Sequence, residues 1–198
     1  MDKQPGQPHR VGVRKLGAGK WLRLDEISYV DCEGKSRTWE AAQRCAGQNA
    51  VVGIACLRPS GKYVLIRQYR APLNAFVLEF PAGLIDAGEK PAATALRELR
   101  EETGYHGVVR HVSGLGLNSP GMTSEAAFLV LMDIPEEQPE NRNPAPCCDD
   151  GEHIAVVTVA HAEMAAFVAA REQAGDVLDS KVVAFFLGAG VLPRVSPD

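Results

Sequence analysis

The chain of 198 residues, 45% hydrophobic and 23% charged, has the composition of one ordinary globular domain with a small appendage, which excludes global disorder. Its formal net charge of −4 argues against a broad nucleic-acid-binding face while leaving room for a local basic pocket that takes phosphates. No apolar run approaches a membrane span, the start MDKQPGQPHRVGVRK has no apolar signal core, and the five cysteines show neither CxxC spacing nor an even count, so a cytoplasmic protein with reduced thiols is expected.

In chain order, the polar, Pro- and Gly-rich residues before Gly19 read as a loose arm. Trp21–Val30 and Ser36–Arg44 read as two strands joined by a turn at Asp31–Lys35, a hairpin too small to bury its own core. It must pack on the following domain or on a second copy of the chain. From Ala50 the apolar runs VVGIAC, YVLIRQY and FVLEF read as buried strands, separated by turns at Pro59–Gly61 and Ala71–Asn74. Pro91–Thr103 favours helix, with proline in the first turn and Gly104 as the stop. Gly107–Val112, Glu125–Met132 and Ile154–Val159 follow as strands. Pro135–Gly151 is a long Pro-rich loop, and such loops are often functional. His161–Gln173, with Met164, Phe167 and Val168 as its buried stripe, and Ser180–Gly188 close the chain as helices. Cys147 and Cys148 read as incidental loop residues. Mixed strands with a middle and a late helix point to an α/β/α sandwich.

The chemistry concentrates in one stretch. Glu98, Glu101 and Glu102 lie three and four apart on the Pro91–Thr103 helix, so their carboxylates crowd one face. Like charges so placed repel, and a hard divalent cation with oxygen ligands is the natural compensation. Arg97, four before Glu101, can pair with it, while Ala93, Ala95 and Leu96 leave the opposite side apolar.

Gly83, Glu89, Arg97, Glu98, Leu99, Glu101, Glu102, Gly104 and Tyr105 match every fixed position of the Nudix box, and the chain is identified as resembling that family. Outside the box, GKW at Gly19–Trp21, RTWE at Arg37–Glu40, RQYRAP at Arg67–Pro72, NSPGMTSE at Asn118–Glu125 and DDGEHI at Asp149–Ile154 resemble the ADP-sugar (ADP-ribose) pyrophosphatase branch. Pro120, past the box, marks that branch, and the likeness runs from about Gly19 to Gly188.

The resemblance implies a Nudix-type α/β/α sandwich with a mixed sheet and a small N-terminal antiparallel hairpin or sheet. It divides the chain into residues 1–48 for dimerisation and base binding, a catalytic domain at 49–190, and a tail at 191–198. It implies Mg²⁺- or Mn²⁺-dependent hydrolysis of ADP-ribose, or of other ADP-sugars, to AMP and the sugar phosphate. Another nucleoside diphosphate sugar, such as GDP-mannose or a UDP-sugar, and a non-catalytic nucleotide sensor stay open as alternatives.

The implied metal ligands are Glu98, Glu102, the Ala82 carbonyl and Glu101, with Glu101 and Arg97 also counted among the catalytic residues and Glu89 in a supporting role. The implied base is Glu152, ahead of Glu125 and Glu136. Trp21 and Trp39 would sandwich adenine from two subunits of a homodimer, with Glu40 hydrogen-bonding the base. Arg44 and Arg70 would bind phosphate, and Arg67 and Arg37 are weaker candidates. His153 and His161 have no metal-ligand spacing.

Overall fold

The computed structural model describes residues 6–148, 151 and 153–192 of the chain. They form two compact units: a larger one, Ala50–Gly114 with the chain from Phe128 onward, and a smaller one that runs up to Asn49 and takes in Leu115–Ala127.

The smaller unit holds a three-stranded antiparallel sheet of β1 (His9–Ala18), β2 (Leu22–Val30) and β3 (Ser36–Arg44). The expected hairpin is β2 with β3, in continuous register from Leu22 opposite Arg44 to Val30 opposite Ser36. The expected loose arm is instead strand β1. Its polar composition hid an edge strand with Val11 and Val13 in alternation. The pairing with β2 shifts register at Val11 and Leu16, just before Gly12 and Gly17, and carries a cross-strand Arg14–Glu26 ion pair at 3.1 Å.

The larger unit is built on an eight-stranded mixed sheet of β4 (Ala50–Arg58), β5 (Lys62–Arg70), β6 (Ala75–Glu79), β7 (Ala82–Leu84), β8 (Val108–Leu117), β9 (Ala126–Pro135), β10 (Ile154–Ala160) and β11 (Val177–Leu178). The order is β11-β6-β5-β4-β9-β8, with β10 paired to β5 and β7 paired to β4. The short strands β7 and β11 are too brief for a periodicity to mark them. Helices α1 (Pro91–Thr103), α2 (Met164–Gln173) and α3 (Ser180–Gly188) match the expected positions, α2 being preceded by a single 3-10 turn at His161–Glu163. Among the described residues no helix is long and apolar enough to cross a membrane.

Strand alternation sends side chains to both faces of this sheet. On one face Val51, Ala55, Val64 and Val130 close a core against Ala95 and Leu99 of α1. On the other, Tyr63 meets Phe185 and Phe186 of α3 with ring centroids 5.5 and 5.1 Å away. Ala93, expected on the apolar side of α1, is exposed; Ala95 and Leu99 carry the contact.

Helix α1 starts with Pro91 and ends at Gly104, whose φ of 76° lets its N–H reach the Arg100 carbonyl at 2.8 Å. The loop after β9 crosses this end. Cys147 N–H donates to the Glu101 carbonyl at 2.8 Å, and buried Asn141 accepts from the His106 N–H and donates to the His106 carbonyl. A Cβ on Gly104 would lie 2.3 Å from the Ala145 backbone nitrogen. Gly104→Ala therefore combines left-handed backbone strain with a backbone clash and is expected to cost about 2–4 kcal/mol. Thermal denaturation should show a fall of roughly 5–15 °C. An unchanged melting temperature would show that the loop does not rest on this helix end.

Candidate active site

Strand β7 pairs with β4, Gly83 opposite Val51 and Ala82 opposite Val52, which holds the Ala82–Leu84 backbone beside the acidic face of α1. Between them lies a pocket of about 330 Å³ whose helix wall is Arg97, Glu98, Glu101 and Glu102, with Asp86 also lining it. Glu102 is only 5% exposed, and its Oε2 accepts the Ala82 N–H at 2.9 Å. Gly83 is required by closeness: a Cβ there would lie 1.9 Å from Oε1 of Glu98.

Arg97 is the hub of the site. Its Nη1 lies 2.8 Å from Glu98 and donates to Glu101 at 2.9 Å, while its Nε and Nη2 donate to the two Glu89 oxygens at 3.2 Å. Nη2 also donates to the Leu84 carbonyl at 3.2 Å, tying helix to strand. Glu89 accepts a further bond from buried Thr94 at 2.8 Å. Arg97 first, then Thr94, holds the Glu89 carboxyl below the usual carboxylate range, and Glu89 in turn leads the interactions that keep Arg97 protonated. The i,i+4 pairing of Arg97 with Glu101 was legible from spacing; the Glu89–Thr94 anchor was missed, its one signal being a threonine set inside an Ala-rich helix.

In the smaller unit the two tryptophans stand open. Trp21 is 70% exposed with the Lys20 ammonium 4.5 Å from its ring centroid, and Trp39 is 52% exposed with its indole N–H donating to the Gly121 carbonyl at 2.9 Å. Glu40 is exposed beside Trp39 in β3. Arg44 is paired with Glu125, one of the rival bases, its Nε donating at 2.7 Å.

The description "NUDIX domain" matches residues 47–179, about two thirds of the chain and the whole box. The chain belongs to the Nudix family. This Nudix protein is 36% identical to an ADP-ribose pyrophosphatase of Saccharomyces cerevisiae over 86% of its own length and 77% of the relative's. It is 34% identical to an ADP-sugar pyrophosphatase of Mus musculus, covering 80% and 76% of the two chains. Among solved structures, a crystal structure of an ADP compounds hydrolase superposes with a TM-score of 0.68 at 22% identity, over 84% of this chain and 85% of that one, and so shares the fold.

Nudix hydrolases use a divalent metal, and the donor chemistry of the box pocket fits one. Glu98, Glu101 and Glu102 offer hard oxygen ligands, and the bare Gly83 backbone lets the Glu98 carboxylate approach strand β7. In the structure Arg97 supplies positive charge to Glu98 and Glu101, and among the described residues no three His, Cys, Asp or Glu side chains converge to the spacing of a metal shell.

The remaining expected site residues of this Nudix protein divide by partner. Arg70 is paired with Glu79, its Nε donating at 2.9 Å. Arg67 is committed to buried Asp176 through two bonds of 2.8 Å and stacks 3.7 Å from the Phe76 centroid, while Arg37 donates to Asp31 at 2.9 Å. Glu136, the other rival base, accepts the Ser60 N–H at 2.7 Å, and its bonds to Ser60 hold its carboxyl below the ordinary range. Glu152, the residue ranked first as base, lies outside the described residues, as do Asp149 and Asp150.

Proposed function

We propose that the protein hydrolyses the pyrophosphate of ADP-ribose to AMP and ribose 5-phosphate, and that of related ADP-sugars to AMP and the corresponding sugar phosphate, using Mg²⁺ or Mn²⁺. The observation that carries this reading is the intact carboxylate pocket of Glu98, Glu101 and Glu102 in a chain that matches ADP-ribose and ADP-sugar pyrophosphatases over most of its length. Glu98, Glu102, Glu101 and the Ala82 carbonyl would hold the cation. When bound, the cation neutralises phosphate oxygens and polarises water.

The chain's own residues do the rest. Arg97 fixes the Glu101 carboxylate relative to the helix, and Glu102 is fixed by the Ala82 N–H. Glu152 is our choice as the base that takes a proton from the attacking water. Arg44 and Arg70, whose side chains are 38% and 42% exposed, would orient phosphate by exchanging part of their carboxylate pairing for it.

We place adenine between Trp21 and Trp39 of two subunits of a homodimer, with Glu40 bonding its edge and residues 49–190 carrying the catalysis. The exposure of Leu22, Leu24, Val11 and Val13 on one small sheet, with Trp21 just before β2, supports a second copy as its cover. A cytoplasmic setting accords with the free cysteines among the described residues.

The test is initial rate on ADP-ribose, ADP-glucose, GDP-mannose, UDP-glucose and NADH, with Mg²⁺ and with chelator. A preference for ADP-ribose with AMP as product is expected. Preference for a guanine or uracil substrate would overturn the role given to the tryptophans, and absence of turnover would overturn the enzyme reading. Trp39→Ala should weaken AMP binding by about 1–3 kcal/mol. Unchanged affinity in titration calorimetry would return Trp39 to packing.

A further inference from the structure

The face of the larger sheet away from α1 carries a second feature, which shares no residue with the box pocket. On the neighbouring strands β4, β9 and β8, Arg58, Asp133 and Arg110 form a row. Arg58 Nε donates to one Asp133 oxygen at 2.9 Å and Arg110 Nε donates to the other at 2.7 Å. Neither guanidinium has another partner among the described residues, and the two side chains are 56% and 62% exposed. One carboxylate thus balances two guanidiniums, leaving a net charge of +1 with both outer edges still able to donate. Glu136, the next carboxylate along the chain, is taken by Ser60.

Beside this row lies a cavity of about 240 Å³ with an apolar interior. Ile54 and Cys56 share the Arg58 face of β4, and Leu131 shares the Asp133 face of β9. Tyr63 and Phe185 form an aromatic wall, their rings 5.5 Å apart and near edge-to-face. The Tyr63 hydroxyl has no hydrogen-bond partner among the described residues, and burial pushes its pKa up, so it stays a neutral donor. An apolar cavity with aromatic walls and a few convergent polar groups is the usual form of a small-molecule site.

We propose that this cavity binds a small aromatic anion, a ring carrying one phosphate or carboxylate, with the ring against Tyr63 and Phe185 and the anionic head on Arg58 and Arg110. Inorganic phosphate alone would leave the cavity unfilled, and an uncharged ring would leave the guanidinium edges without an acceptor. This site stands independently of the function proposed for the box.

The probe is phenyl phosphate, titrated with chelator present and followed by amide chemical shifts, with phenol and inorganic phosphate as controls. Chelation keeps the box pocket, lined by Asp86, Glu98, Glu101 and Glu102 against one arginine, repulsive to anions. Saturable binding is expected, about tenfold or more tighter than either control, with shifts centred on Tyr63, Leu131 and Asp133. Arg110→Gln, which keeps the Arg58–Asp133 pair, should weaken it by about tenfold or more. Leu131→Glu, a second variant on a side chain already 38% exposed, should abolish it. Equal binding of phenol or phosphate, shifts centred elsewhere, insensitivity to Arg110→Gln, or no binding at all would overturn the site.

Discussion

Glu102→Gln is expected to lower turnover of ADP-ribose by about a hundredfold or more while leaving the fold in place. The two halves of that outcome come from different atoms of the same side chain. Glutamine keeps a carbonyl oxygen in the position of Oε2, so the Ala82 N–H retains an acceptor and the strand-to-helix tie survives. What is lost is a negative oxygen at the buried end of the box pocket. Changes in residues that merely support a metal ligand cost tenfold to a hundredfold, which sets about a hundredfold as a floor for a ligand itself. The measurement is a steady-state rate across a Mg²⁺ series together with a melting curve. Activity within a few fold of the parent at saturating Mg²⁺ would remove Glu102 from the proposed ligand set. A collapsed melting temperature would mean that the carboxylate acts through structure.

The same residue shows why the box was legible before any fold was in hand. Glu98, Glu101 and Glu102 are brought together by helical spacing alone, and the helix is bounded by Pro91 and Gly104, whose conformational preferences act locally. Long-range pairings left no such trace. Arg44 meets Glu125 from 81 positions away, and Arg67 meets Asp176 from 109. Each arginine alone reads equally well as a phosphate binder, because a guanidinium suits either kind of oxyanion. Strand β1 was missed for a related reason: an edge strand in an exposed sheet needs little apolar content, so composition resembled a loose arm. The Arg58–Asp133–Arg110 row depends on strand order β4-β9-β8 and has no local signature at all.

Arg97→Met should produce a protein that is less stable without metal and gains more from Mg²⁺ than the parent does. Arg97 is the positive charge among Glu89, Glu98 and Glu101, and its side chain is 27% exposed, so the pairings are partly shielded from water. Methionine preserves much of the apolar stem but leaves the carboxylates facing one another. The expected loss is about 2–3 kcal/mol, or roughly 4–12 °C in melting temperature. A divalent cation held by Glu98 and Glu101 would restore part of that charge balance, so the stabilisation by Mg²⁺ should be larger in the variant. The pH dependence has a defined sign. Arg97 and Thr94 hold the Glu89 carboxyl below its usual value, so Glu89 contributes stability fully above the unfolded carboxylate pKa of about 4.3 and loses it as pH falls through the lower folded value. The gap in melting temperature between parent and Arg97→Met should therefore narrow on acidification below about pH 4. A gap that is constant with pH and indifferent to Mg²⁺ would mean that Arg97 contributes by packing of its stem, and the charge argument for the hub would fail.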